Sequence, residues 1–438
     1  MTMGPTREII SKEIYQSRVY KQSRVAYVGQ ETCNYFINLL LTDAYLATLL
    51  SHLGISDAII GIIASLVSFA FLFQLLAIVM MAHLKNTKRS VLILDTLSNL
   101  VFLSMYLIPF FRVSRVVKTV IVIVCILLGY LCKYMIQSLI FRWANTYVAP
   151  YKRGEFSAIK EIISLIGGIV FTLVIGHIID HYESIDQIKG GFLFIAVAML
   201  IINVLNFISI LFIKNESTQK VAAQKRPLKD VLQNTLGNRN FRNVIIISVL
   251  YQFGIYLSIG FMGIYKTSDL LLSVGTIQII NMAGAFCRMI FSKPFGRYSD
   301  RTSFSKGYGL ALMLVVISNA FYAFCTPKTW WLIIVGTVLY NISLAGSNSN
   351  NFNITYSYVK MEYIVQAMAI KQSITGVIGF VAALIGGSIL QGIQQNGNRI
   401  FGISIYGQQL LCTLSMIFVV GAILFNKFVI EKQKRLIQ

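Results

Sequence analysis

Charge is the scarcest thing in this chain. Charged residues make up 13% of it, where a soluble protein carries about 25%, and acids are the rarer sign, 17 against 38 basic residues. Histidine occurs four times, and no HExxH, GxSxG or paired-histidine spacing exists to build a metalloenzyme or a nucleophile–base constellation. No enzymatic activity, metal or cofactor is therefore expected. The six cysteines (Cys33, Cys125, Cys132, Cys287, Cys325, Cys412) lie in apolar stretches without metal-ligand spacing, and read as small buried side chains. Proline is equally sparse. Pro5, Pro109, Pro150, Pro227, Pro294 and Pro327 all fall at or outside the ends of the apolar stretches, where helices start and stop. Residues 1–25 are polar and of mixed charge, so no signal peptide is expected there.

Long apolar runs fill the space that charge leaves. Hydrophobic residues are 56% of the chain and the mean hydropathy is +0.70. A membrane span needs ~20 mostly apolar residues, and twelve such segments can be read: 26–51, 57–81, 90–111, 118–142, 157–180, 190–213, 243–266, 273–295, 307–326, 329–352, 366–391 and 403–427. Helices satisfy their own backbone hydrogen bonds in lipid, so the expected fold is all-α and integral to a membrane. Most Lys and Arg fall in the N-terminal segment 1–25, the even-numbered loops and the tail 428–438. That bias puts both termini in the cytoplasm of a multi-pass protein of the cell membrane. The net charge of +21 is thus topological, with attraction to anionic lipid, and no nucleic-acid partner is expected.

The second half repeats the first. Thr146-Tyr147-Val148 returns 211 residues later as Ser357-Tyr358-Val359, Ala158-Ile159-Lys160 as Ala369-Ile370-Lys371, and Gly168 and Gly176 as Gly379 and Gly387. A second offset of 214 matches Gly61 with Gly275. The organisation is six spans (26–213), a basic linker (214–242) and six more spans (243–427). In a membrane protein, internal repetition of this kind marks a transporter.

Two loop motifs then resemble the major facilitator superfamily over about residues 25–430. Gly296-Arg297-Tyr298-Ser299-Asp300-Arg301, followed by Lys306, is similar to the family's Gly-x-x-x-Asp-Arg loop, although Ser303-Phe304 stand where the family continues with Gly-Arg. Its first-half copy is degraded to Ala82, Asn86 and Thr87, followed by Lys88-Arg89. Pro150-Tyr151-Lys152-Arg153-Gly154 looks like the family's Arg-Gly start of the fifth helix. The resemblance implies twelve transmembrane helices in two pseudo-symmetric halves, alternating access, and a gating role for Gly296, Asp300 and Arg301. The fifth span, Ile166-Gly167-Gly168-Ile169, lacks the Gly-Pro pair of many drug antiporters. Proton- or sodium-coupled symport is therefore expected ahead of efflux of drugs or metabolites, or of amphiphile transport.

Charges inside a bilayer cost at least ~2.5–3.5 kcal/mol at its centre and usually face a cavity. Polar stripes at helical spacing therefore nominate the site. Span one offers Glu31, Asn34, Asn38 and Thr42; span four offers Tyr130, Lys133 and Gln137. Span five offers Glu161, Ser164, Gly168 and Thr172. In the second half stand Gln252 and Tyr256, Asn281 and Arg288, and Asn341 and Asn348, the last two at offset 211 from Tyr130 and Gln137. Lys133 and Arg288 would hold an anion, or be balanced by Glu31 and Glu161, which are the candidate coupling carboxylates. Asp43 and Asp95 read as membrane-interface residues. The expected cargo is a small polar organic solute, a sugar, glycoside or carboxylated metabolite, carried by a monomer in lipid.

Overall fold

The computed structural model describes residues 17–76, 86–145, 147–148, 153–214, 233, 235–359, 364–400 and 403–433. The expected motifs around Ala82 and Pro150-Tyr151-Lys152, and most of the linker, lie outside them. Among the described residues fourteen helices carry the fold: α1 (Arg18–Leu40), α2 (Asp43–His52), α3 (Asp57–Ala64), α4 (Leu66–Ala70), α5 (Thr87–Met105), α6 (Arg115–Asn145), α7 (Arg153–Ser184), α8 (Ile188–Phe212), α9 (Arg239–Ser258), α10 (Val274–Arg301), α11 (Phe304–Ala323), α12 (Leu332–Tyr358), α13 (Ile364–Gln395) and α14 (Gly407–Phe428). Shorter helical turns join some of them, and one hairpin pairs Arg399 with Ser404 and Ile400 with Ile403.

Ten segments of the described chain are long and apolar enough to cross a membrane, and an eleventh arises if α1 and α2, bent by 46°, count as one span. The twelfth expected span is α5. Its buried face holds Asp95, Ser98, Asn99 and Phe102, and Ile93, Leu97 and Leu100 point outward. Those polar residues lower its hydropathy without changing where its apolar face goes. α8 is arranged the same way, with Asn203 and Asn206 buried and Leu200, Ile201 and Val204 exposed. Polar inside and apolar outside is the pattern of a helix solvated by lipid.

Contacts divide the chain into two compact units, residues 1–41 with 76–224, and residues 42–75 with 225–438. In the first unit α1 packs on α7 and α8, and α5 on α6 and α8. Tyr27, Val91, Ile136, Trp143 and Ile210 form a buried apolar cluster among these helices. Lys88 closes the end of α8 by donating to the carbonyls of Leu211 (2.6 Å) and Ile213 (2.8 Å). The helix dipole favours a cation there, and partial burial draws the lysine pKa below its ordinary value.

Segment 42–75 packs within the second unit. The expected first span is broken at Leu41–Thr42, and Asp43 takes a left-handed backbone (φ 51°). That conformation costs roughly 1–2 kcal/mol outside glycine. It is held by Lys266 Nζ, which donates to both Asp43 carboxylate oxygens (2.9 and 2.8 Å), and by Asn281 Nδ2 at 2.7 Å. α3 packs on the turn 259–261, where any side chain at Gly61 would overlap the Phe261 ring. Ser68 Oγ donates to the Gly376 carbonyl, and Gln394 Nε2 to Asp57. In the rest of this unit α9 packs on α13 and α14, and α11 on α12 and α14.

Two sequence expectations need correcting here. Pro294 does not end its span, because α10 continues through it to Arg301. The Gly296–Arg301 motif therefore forms the last turns of a helix instead of a loop, with Asp300 and Arg301 exposed. A proline forfeits one backbone bond inside a helix, and the helix here runs on regardless.

Lys266 is only 6% exposed, and removing one partner of a buried pair costs about 3–5 kcal/mol. Asp43 retains Asn281 and some exposure, so Lys266→Met should destabilise by roughly 2 kcal/mol. Combining it with Asp43→Asn should recover most of that loss in thermal unfolding, and additive losses would show that the two groups do not interact.

Candidate functional site

The polar stripe of α1 has a cause in its helical period. Tyr27, Glu31, Asn34 and Asn38 recur every three or four residues and so share a face. Thr42 does not extend the stripe, because α1 ends at Leu40. That face borders a cavity of about 330 Å³ within the first unit. From α6 come Tyr130, Lys133, Tyr134 and Gln137, from α5 Asp95, and from α7 Lys160.

Two charge pairs organise it. Lys160 Nζ lies 2.7 Å from Glu31 Oε2 and 4.9 Å from the centre of the Tyr27 ring. The pair is partly exposed, with 20% and 33% of the two side chains accessible. The second pair is indirect. Lys133 Nζ donates to Asn34 Oδ1 at 3.2 Å, and Asn34 Nδ2 donates to the Asp95 carboxylate at 3.3 and 3.5 Å. Asn34 is thus an amide bridge from an ammonium to a carboxylate. Asn206 Nδ2 adds a 2.7 Å bond to Asp95 from α8. Tyr130 and Tyr134 stack at 5.5 Å beside Lys133.

Charge accounting follows directly. Glu31 and Asp95 supply two negative charges, and Lys133 and Lys160 supply two positive ones. Each sits within one bond, or one bridging amide, of its opposite. The cavity as built has no net charge to offer.

Six residues nominated from the sequence meet at this cavity: Glu31, Asn34, Asn38, Tyr130, Lys133 and Gln137. Asp95, which the sequence reading left outside the site, is 1% exposed and borders the cavity. Lys160 was overlooked as well. Its signal was available, because it is one half of the repeated Ala-Ile-Lys triplet. Glu161, the next residue, is exposed and does not border the cavity.

The second-half candidates lie in the other unit and serve varied ends. Asn281 holds Asp43, and Asn341 Nδ2 donates to its own helix at the Thr337 carbonyl (2.9 Å) beside Gly284. Gln252 and Tyr256 flank Gly379, Arg288 is half-buried, and Asn348 is exposed. The repeat mate of Lys160 is Lys371, 6% exposed. It donates to Thr355 Oγ1 (2.7 Å) and to the Asn351 side-chain (3.2 Å) and main-chain oxygens (3.4 Å). No carboxylate bonds it among the described residues.

Comparison with known proteins bears on the family and the fold. A sequence model described as Major Facilitator Superfamily matches residues 32–267. No curated protein matches the sequence. The solved structure of the nucleoside transporter NupG superposes with a TM-score of 0.66 at 14% identity, covering 95% of this chain and 100% of that one. A bacterial homologue of the human lysosomal transporter Spinster gives 0.64 at 14% identity, covering 95% and 97%. A bacterial homologue of the iron transporter ferroportin in its inward-facing state gives 0.65 at 13%, covering 94% and 99%. At such identities the likeness is one of fold.

The partly exposed Glu31–Lys160 pair is worth little in water but more where lipid and protein exclude it. A double-mutant cycle of Glu31→Gln and Lys160→Met should give a coupling of about 1 kcal/mol in thermal stability. Strict additivity would separate the two side chains.

Proposed function

Because the chain belongs to the major facilitator superfamily, we propose that it is a secondary active transporter of a small polar organic solute, held in the cavity of the first unit. The charge balance of that cavity carries the reading. An anionic cargo needs a cation to receive it, and here Lys160 already meets Glu31 while Lys133 is tied through Asn34 to Asp95. An uncharged, hydroxyl-rich solute asks only for donors, acceptors and aromatic faces. Asn38, Gln137, Tyr35 and the Tyr130–Tyr134 stack supply these around about 330 Å³. A sugar, glycoside or nucleoside fits this demand better than the carboxylated metabolite left open by the sequence.

The transport cycle in this proposal is alternating access with ion-coupled symport, in a monomer of the cell membrane with both termini in the cytoplasm. Glu31 acts as the counter-ion of Lys160 and so sets the electrostatics of the cavity. Asp300 and Arg301, at the exposed end of α10, act on the rate of the cycle. Asp300→Asn should therefore change the transport rate and leave solute preference alone.

The decisive test is thermal stabilisation of the purified protein by a panel of sugars, nucleosides, amino acids and organic anions. A ligand of the folded state stabilises it by about 2.7 kcal/mol at a hundred times its Kd. Stabilisation by an uncharged solute, weakened tenfold or more in Asn38→Ala and retained in Arg288→Met, is the expected result. Stabilisation by carboxylates alone, abolished in Lys133→Met, would overturn the neutral-solute reading.

A further inference from the structure

One side chain at the cavity is bonded to nothing around it. Gln30 lies on α1 three residues after Tyr27 and four before Asn34, so it shares the face that borders the cavity, and it lines that cavity with them. It is 1% exposed. Neither its amide nitrogen Nε2 nor its amide oxygen Oε1 has a hydrogen-bond partner. Ile136 and Ile140, which also border the cavity, carry no polar side-chain atom to meet it. Among the described residues there, Gln30 alone keeps a whole buried amide unbonded.

Burying an amide without partners is unfavourable, and buried polar groups are nearly always bonded. A side chain kept only for packing would be better served by methionine or leucine, which fill similar space and leave no polar atom unbonded. The neighbouring Asn34 shows what an amide does here when the protein uses it, accepting from Lys133 at its oxygen and donating to Asp95 from its nitrogen. Gln30 has the same two functions and no such partners. The groups that complete it are therefore those of a ligand. Gln30 also adds no charge, so the balance of Glu31 with Lys160 and of Lys133 with Asp95 stands when the ligand is bound.

We propose that Gln30 is the solute-recognition residue of the cavity, and that the solute presents it with a planar edge carrying an N–H donor beside a C=O acceptor. This deepens the reading of the cavity as the solute site and rests on it. A carboxamide is flat, with its oxygen and one N–H side by side in one plane. The ring edge of a nucleobase, or another carboxamide, answers both at once, and glutamine reads adenine edges by such a bidentate pair. A carboxylate offers two acceptors and no donor. Sugar hydroxyls rotate, meet either end singly and have no need of a planar fork. The edge therefore selects a nucleobase-bearing or carboxamide solute from the uncharged class, and the Tyr130–Tyr134 stack beside the cavity offers an aromatic face to its ring.

The test uses the full chain in detergent, with unfolding temperature as the readout and Gln30→Met as the variant. Without solute, Gln30→Met loses no hydrogen bond and should unfold at the wild-type temperature or above it. Uridine and inosine should bind the wild type at least tenfold more tightly than 3-methyluridine and 1-methylinosine, whose ring N–H is blocked. In Gln30→Met that preference should vanish, because the group that reads the N–H has gone. Stabilisation by nicotinamide as strong as that by uridine would place the cargo among carboxamides, and stabilisation by uridine alone would place it among nucleosides. A marked drop in the unfolding temperature of solute-free Gln30→Met would overturn the proposal, since the amide would then be holding the fold. So would a preference for the unmethylated nucleoside that persists in Gln30→Met, or stabilisation by glucose and by no edge-bearing solute. Solute binding that depends on Asn38 and not on Gln30 would sink this assignment and leave the cavity reading standing. A wild type that answers no solute of any class would sink the cavity reading, and this assignment with it.

Discussion

The constraint on which everything else depends is the price of a charge in hydrocarbon. It thins charge from the sequence, turns helices such as α8 inside out, and forces each remaining charge to be answered. The first unit answers by pairing: Glu31 with Lys160 directly, and Lys133 with Asp95 through the Asn34 amide. An amide can serve there because it presents an acceptor to the cation and a donor to the anion at once. The cavity that results is lined by answered charges and neutral polar groups.

How much of this was legible in the sequence depended on the range of the interactions involved. The spans were readable because lipid imposes a composition on every residue of a helix, and α5 was readable despite Asp95 because its neighbours remained apolar. The α1 and α6 stripes were readable because they follow the period of a single helix. What joined them was not. Asp95 lies 61 residues from Asn34, and nothing local distinguishes a buried aspartate from one at the lipid headgroups. Lys160 was hidden for a different reason. Its Ala-Ile-Lys triplet registers the duplication, and nothing in the repeat itself marks the lysine as a cavity residue.

The break after Leu41 and the helical course of Gly296–Arg301 were missed because a hydropathy run cannot register direction. A run of apolar residues looks the same whether straight or bent by 46°. The bend depends on Asp43 holding a left-handed backbone against Lys266 and Asn281, partners more than 220 residues away. Pro294 misled by the opposite route, as a local signal for termination that its surroundings overrode.

The two repeat-related lysines have a consequence of another kind. Lys160 and Glu31 form a neutral pair, so displacing the two together along the membrane normal would do almost no work against a transmembrane voltage. Lys371 rests on neutral oxygens. While it keeps its proton, any shift of α13 through the membrane field does electrical work, up to about 2.3 kcal/mol per 100 mV for a full crossing. Duplication supplied the chain with two lysines at equivalent places, and divergence of their partners has left one beside a carboxylate and the other on neutral oxygens.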